Sequence, residues 1–231
     1  MPVTDVRRLD LGWFVRPAEE AGGPEPRVEP VYAYLVRRPE GLLLFDTGMG
    51  GDGDAEIQAH YRPHRRPLDA ALRDAGVSAD DVTVVVNCHL HFDHCGGNPR
   101  FPGRPIVAQA AELAAARGTG HTLTELVDFA GVHYLEVSGE TELWPGVRVI
   151  PTPGHTDGHQ SVAVRRDDGT VILAGQARDT ATGYGYDVLA HATGTPGIAY
   201  PVWTARLAQL DPRAVVFAHD AAVWVPGGGK G

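Results

Sequence analysis

The tightest constraint on this chain is the stretch Asn87-Cys88-His89-Leu90-His91-Phe92-Asp93-His94-Cys95-Gly96-Gly97-Asn98, which directly follows the apolar run 82–86. A continuous apolar run of that length reads as a strand buried on both faces, and such a strand needs a sheet with cover on each side. Three of the eleven histidines and an aspartate then fall within the six residues 89–94. Imidazole and carboxylate together form the ligand set of zinc and similar first-row metals. In an extended segment His89 and His91 project to one side and can share an ion. A turn then carries Asp93 and His94 to a second position, and Gly96-Gly97 let the backbone fold tightly around both. A solvated histidine-rich loop is the competing reading, and the flanking apolar strand and glycine pair count against it. His60, His64, His121, His133 and His191 lack such surroundings and read as surface or satisfied core residues.

The rest of the chain alternates short strand-like runs with helical ones. Segments 31–37 and 42–45 read as a hairpin around Pro39-Glu40-Gly41. Leu68, Ala71, Leu72 and Ala75 share a helical face, which predicts a helix over 67–75 with Pro67 at its start and Gly76 at its end. Strands are expected at 106–108, 147–150, 161–164, 171–173 and 214–217, and helices at 110–116 and 201–210. The turn Asp167-Asp168-Gly169 joins two of those strands, and 226–231 reads as a flexible tail by composition. Hairpins are too frequent for a doubly wound parallel sheet. Two sheets covered by helices accommodate the pattern.

At 231 residues the chain can bury a large core, and one domain over 1–225 is expected. Asp and Glu outnumber Lys and Arg by 29 to 20, a net charge of −9, which argues against nucleic acid and anionic membranes as partners. Cys88 and Cys95 are the two cysteines and do not read as a secreted disulfide framework. The opening MPVTDVRRLDLGWFV has no apolar signal core, and no apolar run approaches the roughly 20 residues of a membrane span. A soluble, cytoplasmic protein is expected.

Two other motifs fail on context. Gly48-Met49-Gly50-Gly51-Asp52-Gly53 spells G-x-G-x-x-G, but Pro63 and Pro67 break the helix that a dinucleotide site needs directly behind it. Asp46-Thr47-Gly48 spells the aspartic-protease triplet, but that chemistry needs two carboxylates sharing a proton and no second copy exists.

The histidine segment resembles the H-x-H-x-D-H motif of the metallo-β-lactamase superfamily, and three further matches, one upstream and two downstream, lie in the right order along the chain. These are Leu44-Phe45-Asp46-Thr47-Gly48, Pro153-Gly154-His155-Thr156-Asp157-Gly158-His159 and Phe217-Ala218-His219-Asp220. Together they span about residues 30–221. The resemblance implies an α+β fold, an αββα sandwich of two mixed sheets with outer helices and a metal site along one edge. It implies that His89, His91 and His155 hold one metal and that Asp93, His94 and His219 hold another. His159 would pack behind them, Asp46 would support the ligand loop, and Cys95 would be a small buried thiol.

The resemblance is nearest to the N-acyl-homoserine lactone lactonases, with two departures. Gln176 stands where the family has an aspartate bridging the metals, and Asp179 stands where a tyrosine often orients substrate. Both are candidates for metal or substrate contact. The implied cofactor is zinc (Zn2+), one or two ions, with iron or manganese as alternatives. The implied activity is hydrolysis of an ester-like bond, a lactone first, by a metal-activated water oriented by Asp93. Tyr184 and Tyr186, with Trp203 and Trp224, are candidates for the substrate pocket. The alternatives are a thioesterase or biosynthetic metallo-hydrolase for a non-lactone substrate, and a metal-binding protein of this fold with little turnover. The expected partner is a small molecule, with no nucleic acid and no membrane, and a homodimer stays open.

Overall fold

The computed structural model describes residues 5–118 and 120–227. Most of the expected tail, 228–231, lies outside the described residues. The chain opens with β1 (Asp5–Arg16), α1 (Ala18–Ala21), β2 (Arg27–Arg38), β3 (Gly41–Phe45), α2 (Ala55–Tyr61), β4 (His64–Arg65) and α3 (Leu68–Asp74). Then come β5 (Val84–Val86), α4 (Phe92–Cys95), β6 (Pro105–Gln109), α5 (Ala110–Ala116), α6 (Thr124–Val127) and β7 (His133–Val137). The remainder is β8 (Thr141–Trp144), β9 (Val147–Pro151), β10 (Gln160–Arg166), β11 (Gly169–Leu173), α7 (Ala181–Thr193), α8 (Trp203–Ala208) and β12 (Pro212–Val216).

Among the described residues the strands form two mixed sheets, ordered β4-β1-β2-β3-β5-β6-β7 and β12-β11-β10-β9-β8. The expected hairpin is β2–β3, with Leu43 opposite Val36 and Leu42 opposite Arg37. Strand β5 lies between parallel neighbours β3 and β6, so all three of its valines are enclosed, as the apolar run predicts. It begins two residues later than that run because Thr83 turns its hydroxyl to the Leu42 backbone.

Period-two alternation then builds the layers. Tyr34, Val36, Leu43, Phe45, Val84 and Val86 of the first sheet meet Val147, Val149, Val162, Val164, Val171 and Leu173 of the second. The intervening residues face outward. Leu42, Leu44 and Val85 pack under α3 through Ala71 and Leu72. Ala163, Ile172 and Val215 pack under α7 and α8 through Tyr184, Trp203 and Leu207. The result is the expected αββα sandwich. No helix among the described residues is long and apolar enough to cross a membrane.

Strand ends β3, β5, β11 and β12 emerge at one rim, and the loops that follow them interlock. Gly96 N donates to Gly48 O, Gly50 N donates to Phe92 O and Thr47 N donates to His94 O, each at 2.8 Å. A Cβ on Gly96 would sit 1.9 Å from Gly50 N and 2.2 Å from the Met49 carbonyl carbon. Backbone cannot yield as a flexible side chain does, so Gly96→Ala should cost about 3 kcal/mol or more. Gly53→Ala, where a Cβ meets nothing within 4 Å, should change stability by less than about 0.5 kcal/mol. Denaturant melts of the two variants check this.

Candidate metal centre

Four segments deliver the candidate ligands to one rim. His89 and His91 follow β5, and Asp93 and His94 sit on α4. His155 lies between β9 and β10, Gln176 follows β11, and His219 follows β12. The ligand atoms of His89, His91 and His155 all lie within 4.8 Å of one another, as do those of Asp93, His94 and His219. These are the two groups that the sequence reading put together.

Backbone and carboxylate partners set the direction in which each ring points. His219 Nδ1 donates to Pro30 O at 2.9 Å, which leaves its Nε2 lone pair free to face inward. His94 Nδ1 lies 3.0 Å from Asp46 Oδ2, and its Nε2 faces His219 Nε2 at 3.1 Å, Gln176 Oε1 at 3.2 Å and Asp93 Oδ2 at 3.4 Å. His89 Nδ1 lies 3.1 Å from Cys88 Sγ, and His89 Nε2 is buried with no hydrogen-bond partner. His91 Nδ1 faces His155 Nε2 at 3.1 Å. An orphaned buried imidazole nitrogen is costly, and bringing ring nitrogens and a carboxylate together in this way is what a first-row dication needs. The donor set fits a metal.

Protonation follows the same division. Burial drives His89 well below the ordinary histidine pKa and takes His91 to about 4, so both rings are neutral lone-pair donors at neutral pH. Burial also opposes a charge on His94, but Cys88, Asp93 and Asp46 around it raise its pKa well above 6.5. Burial resists ionisation of Asp93 too, and His94 and His219 outweigh it and hold the carboxyl well below its usual range. Asp93 and His94 thus stabilise each other's charged forms.

The other expected residues fall as follows. His159 has both nitrogens engaged, Nδ1 with Thr152 Oγ1 at 2.8 Å and Nε2 accepting from Gln176 N at 3.1 Å, so it packs behind the centre. Cys95 is buried and turns its thiol to Leu90 O. Gln176 is 2% exposed, and its Nε2 donates to Asp179 Oδ1 at 3.1 Å. Asp179 joins neither ligand group. Its carboxylate pairs with Arg16 at 3.5 Å and Arg27 at 3.2 Å, because two guanidiniums and an amide claim its oxygens.

Tyr184 and Tyr186 line no wall of the cleft over the histidines. Tyr184 is stacked against Trp203 and edged by Trp224 in the core beneath α7, and Tyr186, two residues along the helix, is 69% exposed. The cleft itself, about 760 Å³, is lined by Phe14, Ile57, Tyr61, Phe92 and Leu123 together with Arg16, Gln176 and Asp179, and the Arg16 guanidinium lies 5.8 Å from the Phe14 ring centroid.

His121 is, as expected, a satisfied residue that joins neither ligand group. Its ring centroid lies 4.6 Å from that of His91, with the planes tilted by 50°, and it bonds Glu112 Oε1 at 2.8 Å. Glu112 in turn accepts from Leu90 N at 2.8 Å and Thr156 Oγ1 at 2.6 Å, which ties the His89/His91 segment to the His155 loop. Neither residue carries a motif. Their partners are distant in sequence, and no local signal marks them.

The metallo-β-lactamase superfamily model matches residues 26–219. An N-acyl homoserine lactonase from Bacillus sp. is 33% identical over 171 residues, covering 69% of this chain and 68% of that protein. The N-acyl homoserine lactonase AiiB of Agrobacterium fabrum is 33% identical over 219 residues, covering 83% and 79%. Against the Bacillus cereus lactonase the chain spans 62% of that relative's length, under two thirds. Among solved structures, an N-acyl homoserine lactone hydrolase with N-hexanoyl-L-homoserine bound at its catalytic metal centre superposes with a TM-score of 0.77 at 25% identity, covering 96% of this chain and 95% of that one.

Glu112 yields a pH prediction. Burial resists its ionisation, but His121, Thr156 and the Leu90 amide hold its pKa down from 4.5 to about 2. A depressed carboxyl contributes stability that is present above pH 4.5 and is lost as pH falls toward 2. Glu112→Gln should cost about 3 kcal/mol at neutral pH, and the gap to wild type should close on acidification. Denaturant melts across that range measure it.

Proposed function

Because the chain belongs to the metallo-β-lactamase superfamily, we propose that it is a metal-dependent lactone hydrolase, with residues 1–225 acting as one domain. The observation that carries this reading is the pair of ligand groups facing the floor of an open cleft, with His89 Nε2 buried and partnerless between its neighbours. His89, His91 and His155 would hold one zinc ion, and Asp93, His94 and His219 would hold a second. Metal bound there supplies Lewis acidity and a water acidified toward about pKa 7.

The remaining work belongs to the chain's own side chains. Asp46, Cys88 and Pro30 O set the ring orientations before any ligand arrives. Asp93, ionised and aimed at the same point as His94 and His219, orients the attacking water. Phe14, Tyr61 and Phe92 pack against one another at 4.9–6.3 Å and offer an apolar wall to an acyl chain. Lactonase relatives with this chemistry support the substrate class. The molecule is a soluble, cytoplasmic enzyme in this reading.

Gln176 sets this chain apart. If the amide stands at the bridging position, it offers an oxygen without the charge that offsets repulsion between two dications about 3.5–4 Å apart. A second reading draws on the same residues: with Gln176 and Asp179 on the cleft wall, the substrate is a thioester or another non-lactone ester. A turnover screen of the metal-loaded protein against lactones, thioesters and phosphodiesters separates the two.

His91→Ala should abolish lactone turnover and lower bound metal. Full activity at unchanged metal content would reject the ligand assignment. The unmodified protein should retain fewer than two metals per chain after dialysis against a weak chelator, and Gln176→Asp should raise that number toward two. Elemental analysis checks both, and two tightly held metals in the unmodified chain would refute the weakened bridge.

A further inference from the structure

We propose that Glu112 and Thr156 are positioning residues for the metal held by His89, His91 and His155. Their hydrogen bond latches the His155 loop to the His89/His91 segment and so sets how tightly the three imidazoles grip an ion. The inference rests on the metal-ligand reading above and deepens it. His155 lies on the loop between β9 and β10 and is the most open member of its ligand group, whereas His89 is fully enclosed. A ligand on an open loop is ordered only by what that loop is tied to.

Three ties hold residues 153–158. At the start, Pro153 O accepts from Trp203 Nε1 at 3.0 Å. At the end, Gly158 lies so close to α5 that a Cβ there would meet Glu112 N at 2.3 Å and Glu112 Cα at 2.5 Å. Between them Thr156 Oγ1 donates to Glu112 Oε2 at 2.6 Å. Among the described residues, His155 and Thr156 are the two side chains of this loop that bond outside it.

The other oxygen of the same carboxylate holds the other ligand segment. Glu112 Oε1 accepts from Leu90 N at 2.8 Å, and Leu90 stands between His89 and His91. Glu112 is 1% exposed, so water does not compete for these bonds. One rigid, buried group therefore spans the two stretches of chain that carry all three ligands. Asp46 and Cys88 act on ring nitrogens. Glu112 acts instead on the chain bearing the rings, and with it on the 3.1 Å approach of His155 Nε2 to His91 Nδ1. Cutting the Thr156 bond leaves the loop anchored at both ends and loose at the ligand between them. Order that is missing before an ion binds is subtracted from affinity. Partners lying just outside a ligand set typically carry roughly 10- to 100-fold in metal affinity.

The test measures zinc affinity at equilibrium, by competition with a chromogenic chelator. Thr156→Val removes the hydroxyl at nearly constant volume and should weaken zinc about tenfold or more, whereas Thr156→Ser keeps the donor and should stay within about threefold of wild type. The latch acts through His155, so adding Thr156→Val to His155→Ala should change the affinity of that variant by less than about twofold. Unchanged affinity in Thr156→Val, an equal loss in Thr156→Ser, or a full further loss in the double variant would each overturn the proposal. A wild type that holds no zinc, or holds it equally after His155→Ala, would reject the ligand reading alone. Amide hydrogen exchange on metal-free protein then decides on the latch. The His159 amide bonds Thr156 O at 3.3 Å, and in Thr156→Val it should exchange about tenfold faster while Val162 in β10 keeps its rate. An unchanged His159, or equal acceleration at Val162, rejects the latch.

Discussion

The carboxylate of Asp46 is the node on which the rim depends. It stands just after β3 in a left-handed backbone conformation, φ +63°, which is uncommon for non-glycine residues and which Asp tolerates better than most. What it gains is three donors at once: the Cys88 amide at 2.8 Å, the Cys88 thiol at 3.1 Å and His94 Nδ1 at 3.0 Å. Cys88 passes the constraint to His89, and His94 passes it toward His219 and Gln176. A buried carboxylate with so many claims on it is high-stakes, since removing any one donor leaves charge uncompensated. Ring orientations around the centre are therefore set by the end of a strand some forty residues upstream.

How much of this was legible in the sequence depended on where each residue's partners lie. The enclosed β5, the β2–β3 hairpin and the helix containing Ala71 and Leu72 follow local periodicity, and so does the alternation that separates the two faces of each sheet. Strand β1 escaped because its register shifts between Asp10 and Trp13, at Gly12 with φ +100°, which breaks the two-residue period. Helix α7 escaped because Gly183 and Gly185 depress its intrinsic propensity. It is held by the Thr180 cap, by Asp220 accepting the Ala181 amide and by Tyr184 in the core. The histidines could be read because six adjacent residues carry four candidate ligands. Arg16, Glu112 and His121 had no such signal, being defined by contacts across the fold. Tyr184 and Tyr186 were misplaced for the same reason, since aromatic content alone does not distinguish core, surface and cleft.

Charge is distributed unevenly over the centre. One group consists of three imidazoles, of which His89 and His91 resist protonation, and the other combines an ionised Asp93 with a histidine that carries a proton readily. Beside His94, Gln176 contributes dipole without charge, and its amide is oriented by Asp179, whose own charge is spent on Arg16 and Arg27. The acid three residues beyond Gln176 thus serves the cleft wall and joins neither ligand group.

The two sheets are also tied together at the rim. Tyr34 donates its hydroxyl to Phe217 O, Tyr32 N donates to Ala218 O at 2.9 Å, and His219 closes on Pro30 O, so β2 is bonded directly to the segment leaving β12. A sandwich stitched in this way cannot gape at that end without breaking several buried hydrogen bonds together. Exchange of an ion would then be decoupled from breathing of the core. Its route is the solvent side, past His155, the most open member of its ligand group. Residence time at the centre becomes a property of one loop's mobility and not of the global unfolding rate.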